Sequence, residues 1–199
     1  RALLGRLTKT ARAHGLPAAV LTFEPHPREF FDPANIPARL TTLREKLELL
    51  AEYGTDITAV GRFDAAFAAL SPDAFIERVL IEGLRVRHLI IGDDFRFGKG
   101  RSGDFASLQQ AGREHRFVVE AMHTVDFGGL RVSSSAVREA LADGNIERAE
   151  ELLGRAFVIA GRVMDESAAS VQVELDSGKR VKVKSAHVLL RFEKPAPAE

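Results

Sequence analysis

The sequence predicts an α/β fold: a doubly wound, Rossmann-like parallel sheet, followed by a small β-rich C-terminal appendage. Three observations carry this reading. Short apolar runs alternate with amphipathic stretches as far as Leu153, and repeated strand–helix alternation implies a parallel sheet covered on both faces by helices. Capping and turn signals fall at the ends of those stretches, at Gly15, Thr42, Gly54, Ser71-Pro72 and Asp104. After Gly154 the pattern changes to β-type runs around an Asp176-Ser177-Gly178 hairpin signal. A boundary is expected near residues 154–160, separating a domain of residues 1–155 from a β-rich tail of residues 156–199.

The elements follow in order. Leu3, Leu4, Leu7 and Ala11 form one helical face, and Gly15 closes it. Ala18 to Phe23 reads as a buried strand. Pro25, Pro27, Pro33 and Pro37 then predict a long irregular loop. Thr42-Leu43-Arg44-Glu45 is a capping box, opening a helix that turns Leu43, Leu47 and Leu50 inward and ends at Gly54. Ile57 to Val60 is the next strand. Ser71 caps a helix with Pro72 at its first position and Phe75, Ile76, Val79 and Leu80 inward. His88 to Ile91 is a strand, Asp104 caps a helix from Phe105 to Gly112, and Phe117 to Met122 is another strand. Ser133 or Ser134 opens a helix to Leu141, and Asn145 to Leu153 makes one more. In the tail, Ala156 to Val163, Ser170 to Leu175 and Arg180 to Lys184 read as strands.

Composition excludes several classes of function. Lys plus Arg and Asp plus Glu number 28 each, so the formal net charge is zero. That balance weighs against bulk nucleic-acid binding. The chain has no cysteine, which excludes disulfides and thiolate metal sites and agrees with a cytoplasmic setting. No apolar run approaches membrane-spanning length. Nothing in the sequence sets an oligomeric state.

A parallel sheet places ligands beyond the carboxyl ends of its strands. Three unusual segments fall on that rim: Phe23-Glu24-Pro25-His26-Pro27, the loop after Gly92, and Arg131-Val132-Ser133-Ser134-Ser135. Gly98, Gly100 and Gly103 spell G-x-G-x-x-G. Asp93 to Phe97 separate them from the strand, however, so they cannot form the tight strand–helix turn of a dinucleotide site. Ser134 and Ser135 at a helix start, with Arg131 before them and Arg138 after, suit an anion; a helix cap with a solvated arginine explains the same residues. His26 has no second histidine at ligand spacing, which argues against zinc. Asp93 and Asp94 could hold Mg²⁺ or a ribose, or cap the loop, so the metal ligands stay open. No nucleophile elbow is present. This inventory of phosphate binders without a nucleophile suits phosphoryl or nucleotidyl transfer.

Taken together, "TFEPHPREFF", "GDDFRFGKGRSGD" and "RVSSSAVREAL" resemble the adenylyltransferase module of bacterial bifunctional riboflavin kinase/FAD synthetases, over about residues 1–163. The resemblance implies a sheet of the nucleotidyltransferase type. It also implies transfer of AMP from ATP to FMN, giving FAD and pyrophosphate, with Mg²⁺ accompanying ATP. It places Phe23, Pro25, His26 and Pro27 on the flavin-phosphate side, Asp94, Phe95 and Phe97 in a loop holding flavin and nucleotide, and Arg131, Ser134, Ser135 and Arg138 on the ATP phosphates. Two departures stand out. The family's H-x-G-H with a preceding F-D-G is absent, and so is the kinase signature G-x-P-T-A-N. The chain opens on a helix where a parallel sheet calls for a strand, so a missing first strand carrying H-x-G-H, and impaired turnover, are expected. The tail faintly resembles the start of ribonuclease II-type exoribonucleases; a solvated strand face explains Arg180, Lys182 and Lys184 equally. Two other readings compete with the first: an adenylyltransferase for another phosphate monoester, and a non-catalytic flavin- or nucleotide-binding remnant.

Overall fold

Four apolar runs become four strands, and their pairing sets the geometry of the molecule. The computed structural model describes residues 2–122, 126–127, 130–158, 162–166, 170–174 and 180–184. β1 (Ala19–Glu24) pairs in parallel with β2 (Ile57–Arg62), Ala19 opposite Ile57 and Glu24 opposite Arg62. β3 (His88–Gly92) pairs in parallel with β4 (Val118–Met122), His88 opposite Val118 and Gly92 opposite Met122. Helical segments link the strands, as parallel pairs require. The linkers are α1 (Ala2–Ala13), which leads into β1, then α2 (Pro27–Phe31), α3 (Leu43–Glu52), α4 (Ala65–Ala68), α5 (Pro72–Phe75) and α6 (Phe105–His115). The helical path of α5 continues as a π-helical stretch over Ile76–Gly83. β5 (Asp126–Phe127) and β6 (Leu130–Arg131) form a short antiparallel ladder, and α7 (Ser134–Ala142) and α8 (Ile146–Leu153) follow.

The chain divides into two compact units, residues 1–155 and 156–199. In the first unit, Phe75, Ile76, Leu80, Ile91, Phe97, Leu108, Ala111 and Phe117 form the main core. A smaller cluster of Val137, Ala140, Ala149 and Leu152 joins α7 to α8. The second unit contains a three-stranded antiparallel sheet in the order β7 (Arg162–Glu166), β8 (Ser170–Glu174), β9 (Arg180–Lys184). Its register shifts between Val163 and Asp165.

The two parallel pairs are separate ladders among the described residues. The edges of β1 and β3 that carry no partner strand line an apolar cleft of about 360 Å³ together with Leu4, Leu7 and Ala11 of α1. Arg6 of α1 bonds Glu120 of β4 at 2.7 Å, and the His14 ring lies 5.8 Å from that of His88. The carboxyl end of α1 therefore meets the amino end of β3.

Several local expectations differ from the structure. The proline-rich loop contains a helix, α2, because Pro27 occupies the first helical position, where its missing N–H costs nothing. A short helix, α4, stands where no element was expected, started by the Asp64 side chain accepting from the Phe67 N–H. α6 runs through Gly112 to His115 and ends on left-handed Arg116. Gly112 packs rather than terminates, since a Cβ there would lie 2.6 Å from the Phe117 carbonyl oxygen. Ala156 to Val158 have no regular structure, and β7 spans Arg162–Glu166. The Asp176-Ser177-Gly178 turn lies outside the described residues.

Candidate active site

At the carboxyl ends of β1, β2 and β3 opens a cavity of about 1320 Å³. Its floor is aromatic. Phe23, near the end of β1, meets Phe63 at 5.8 Å, edge to face, and Phe67 at 5.0 Å. Phe30 and Phe31 of α2 both stand edge to face on Phe63, at 5.5 and 5.7 Å. Phe67 meets Phe75 at 6.1 Å, and Phe75 meets Phe97 at 5.1 Å. Such ring pairs add about 0.5–1.5 kcal/mol each beyond the area they bury, so the floor is stiff. The mouth is basic: Arg28, Arg96, Lys99 and Arg101 line it, with Asp32 the acidic residue among the lining groups.

The His26 segment is held by a network of local bonds. His26 caps α2 with Nδ1 accepting from the Arg28 N–H at 3.1 Å. Glu29 answers by accepting from the His26 N–H at 3.3 Å. Arg39 donates Nε to Glu29 at 2.7 Å and its terminal nitrogen to both Glu29 and Glu24. These bonds to Arg39, foremost, hold the Glu29 carboxyl below the usual carboxylate range. An accepting Nδ1 puts the ring proton of neutral His26 on Nε2. Desolvation, first, and the neighbouring charges of Lys46, Arg28 and Arg138 push the His26 pKa down against the opposing pull of Glu29. At neutral pH His26 is thus a neutral Nε2–H donor beside the cavity.

Phe23, His26, Pro27, Phe95 and Phe97 all line the cavity. Pro25, which follows a cis peptide bond, and Asp94, at the carboxyl end of β3, are not among its lining residues. Phe97 is 6% exposed, so most of its ring belongs to the core. The glycines of the loop have local duties. Gly98 takes φ +71°, and a Cβ there would sit 2.8 Å from the Pro72 nitrogen. A Cβ on Gly103 would lie 2.6 Å from the Phe97 ring, across the backbone bridge that joins those two residues. No strand-to-helix phosphate turn is formed by them.

Ser133, rather than Ser134, is the cap of α7, accepting from the Ala136 N–H at 3.2 Å. Ser134 and Ser135 therefore occupy the first helical turn, exposed, where backbone N–H groups have no acceptor within the helix. Arg138 reaches back across the chain, donating Nε to the Ala38 carbonyl at 2.7 Å. The His26 segment and the loop after Gly92 meet in the cavity lining, and Arg138 is tied to the chain downstream of the His26 segment by its bond to Ala38. The Arg131 side chain lies outside the described residues. Sequence reasoning missed Lys46 and Arg39. For Lys46 a signal existed: it falls three residues after Leu43 and one before Leu47, on the inward face of α3. Among the described residues no cluster of three or more His, Asp or Glu offers a metal cage.

Comparison with known proteins fits this geometry. The family model for FAD synthetase matches residues 1–136, which include the whole cavity lining. The bifunctional riboflavin kinase/FMN adenylyltransferase of Escherichia coli K12 is 52% identical over 164 residues, covering 82% of this chain and 52% of the relative. The protein of that name from Pseudomonas fluorescens is 48% identical over the same shares. The chain thus spans about half the length of these relatives. A Streptococcus pneumoniae structure titled a macrolide-efflux protein shares the fold, with TM-score 0.72 and 22% identity over 87% of this chain and 58% of that one. No described helix is long and apolar enough to cross a membrane. The match over residues 1–136 and the identity to these relatives establish that the chain belongs to the FAD synthetase family.

Proposed function

We propose that this chain is an FMN adenylyltransferase module, acting in the cytoplasm, that binds FMN and ATP and directs AMP transfer between them. The aromatic, basic-mouthed cavity carries the reading. Its floor of phenylalanines suits a planar tricyclic ring, and its cations suit a phosphate at the other end of the ligand. In the reaction, an FMN phosphate oxygen forms a bond to the α-phosphorus of ATP. The bond from that phosphorus to the bridging oxygen breaks, and pyrophosphate leaves with the electron pair.

On this reading His26 donates Nε2–H to phosphate without itself carrying charge. Ser134, Ser135, Arg131 and Arg138 hold the ATP phosphates at the start of α7. With the triphosphate, Mg²⁺ would supply positive charge against the departing oxygens. No group of three or more acidic or histidine side chains placed to hold a metal ion stands among the described residues, which suits a cation that keeps waters and phosphate oxygens as its main ligands. The absence of H-x-G-H from these 199 residues makes binding the direct test. Calorimetry is expected to show both FMN and ATP binding, and Arg138→Ala is expected to weaken ATP by about 1.5–3 kcal/mol, the worth of charge-assisted hydrogen bonds. A protein that binds neither ligand, or binds phosphopantetheine in place of FMN, overturns the reading.

A further inference from the structure

We propose that Lys46 is a phosphate ligand, completing an anion cradle with His26 and Arg28 at the carboxyl end of β1. The identity of the phosphate, that of FMN, rests on the function proposed above; the cradle itself rests on geometry. Lys46 lies on the same face of α3 as Leu43, Leu47 and Leu50, where a lysine is out of place unless its ammonium reaches a polar partner. It is half-buried, and its Nζ stands 3.5 Å from the Thr22 hydroxyl. Thr22 in turn lines the cavity beside His26 and Arg28. An ammonium has three donors, and a single long contact to a hydroxyl leaves most of that capacity unspent.

The nearby acids turn to other partners, and Glu45 Oε1 is buried without a hydrogen bond. Glu24 and Glu29 are both bound by Arg39. Glu45, the neighbour of Lys46 along α3, turns back to accept from the Thr42 N–H at 2.6 Å in the capping box. Among the described residues no carboxylate forms an ion pair with Lys46. Lys46 and Arg28 come from two different helices, and Thr22, which Lys46 meets, lines the cavity with His26 and Arg28. An ammonium beside the cavity with no ion-pair partner has donors to give an arriving anion. An anion seated there accepts from Lys46 Nζ, His26 Nε2 and the Arg28 guanidinium. Its organic portion extends over the phenylalanine floor.

The test compares FMN with riboflavin, which has the same ring and no phosphate. Binding of each to wild type, Lys46→Met and Lys46→Arg is followed by flavin fluorescence, with melting temperature and circular dichroism confirming folding. Lys9→Met, an exposed lysine of α1, controls for loss of one charge. Lys46→Met is expected to weaken FMN about 10-fold or more and to leave riboflavin unchanged; Lys46→Arg restores most of the loss, and Lys9→Met changes neither. Equal FMN affinity in wild type and Lys46→Met, or parallel losses for FMN and riboflavin, overturns the proposal while leaving the proposed function standing. If wild type binds neither flavin, the function fails and inorganic pyrophosphate becomes the probe. Weaker pyrophosphate binding by folded Lys46→Met then upholds the cradle, and unchanged binding overturns it. If Lys46→Met does not fold, Lys46→Gln is read by the same criteria.

Discussion

The aromatic cavity and the cleft between β1 and β3 share Leu21, Phe23, Phe75 and Phe95 as walls, yet they are held open by different means. Around the cavity, directional interactions are nearly all made: rings meet edge to face, and Arg39 ties two carboxylates to the His26 turn. Around the cleft, the walls are mostly aliphatic side chains, and the facing strand edges carry no ladder among the described residues. Rigidity at the cavity is thus built from directional contacts, whereas along the cleft no strand pairs with the facing edges among the described residues. A ligand site preformed in this way loses little entropy when it binds.

The largest expected break in this comparison is at Phe75. It is 5% exposed and touches both Phe67 and Phe97. Phe75→Ala is expected to cost about 3–5 kcal/mol, from lost burial and the void left behind. Leu4→Ala, on the cleft wall and only half-buried, is expected to cost about 1 kcal/mol, since less of its area leaves water. Urea unfolding of the two variants measures the difference, and equal losses would show that the α1 wall of the cleft is packed as firmly as the wall it shares with the cavity.

A smaller effect sharpens the same contrast through glycine. Gly98→Ala meets both a left-handed φ and the Pro72 nitrogen at 2.8 Å, so about 1–3 kcal/mol of strain is expected. The loop that carries Lys99 and Arg101 into the cavity would shift with it, weakening FMN. Gly5 lies in α1 with nothing within 4 Å of an added Cβ, and Gly5→Ala is expected to stabilise by about 0.5–1 kcal/mol. Thermal melts of both variants, with FMN titrations, decide whether the loop or the helix responds as the geometry requires.

Much of the frame could be read directly from the residues. Ser71-Pro72, the Thr42/Glu45 box and Asp104 are local signals whose mechanism sits within four residues, and each starts a helix where the sequence placed it. The tie from Arg138 to the chain downstream of His26 was only partly legible. Strand–helix alternation put their segments on one rim, but nothing local announces a bond from Arg138 to a carbonyl a hundred positions earlier. Gly112 misled for a related reason. Its role depends on the Phe117 carbonyl pressing against it, a tertiary contact, whereas sequence pattern assigns a late glycine to a helix end. Arg39 was illegible because its partners, Glu24 and Glu29, lie on two elements with a proline-rich segment between. Ion pairing across a loop leaves no periodicity behind.

That Arg39 clamp gives the smallest and most selective prediction. Glu29 has its folded pKa depressed, first by its bonds to Arg39. A carboxyl of this kind stabilises the fold fully above its unfolded pKa, and the benefit is lost as pH falls through the lower folded value. The window therefore opens below about pH 4.5, the ordinary carboxylate value from which Glu29 is shifted. Arg39 is 42% exposed, so solvent screens the pair and the whole effect at neutral pH is expected to be about 0.2–1 kcal/mol. Arg39→Met should lower the melting temperature slightly at pH 7, and the gap to wild type should narrow as pH drops from 4.5 toward 3. FMN affinity should fall by more than this loss of stability alone suggests, because the His26 turn loses the brace on Glu29 that fixes its N–H. Melting curves from pH 7 to 3, with FMN titrations at pH 7, test both parts. A gap independent of pH would show that Arg39 acts through packing of its stem rather than through Glu29, and unchanged FMN affinity would show that the turn holds its shape without the clamp.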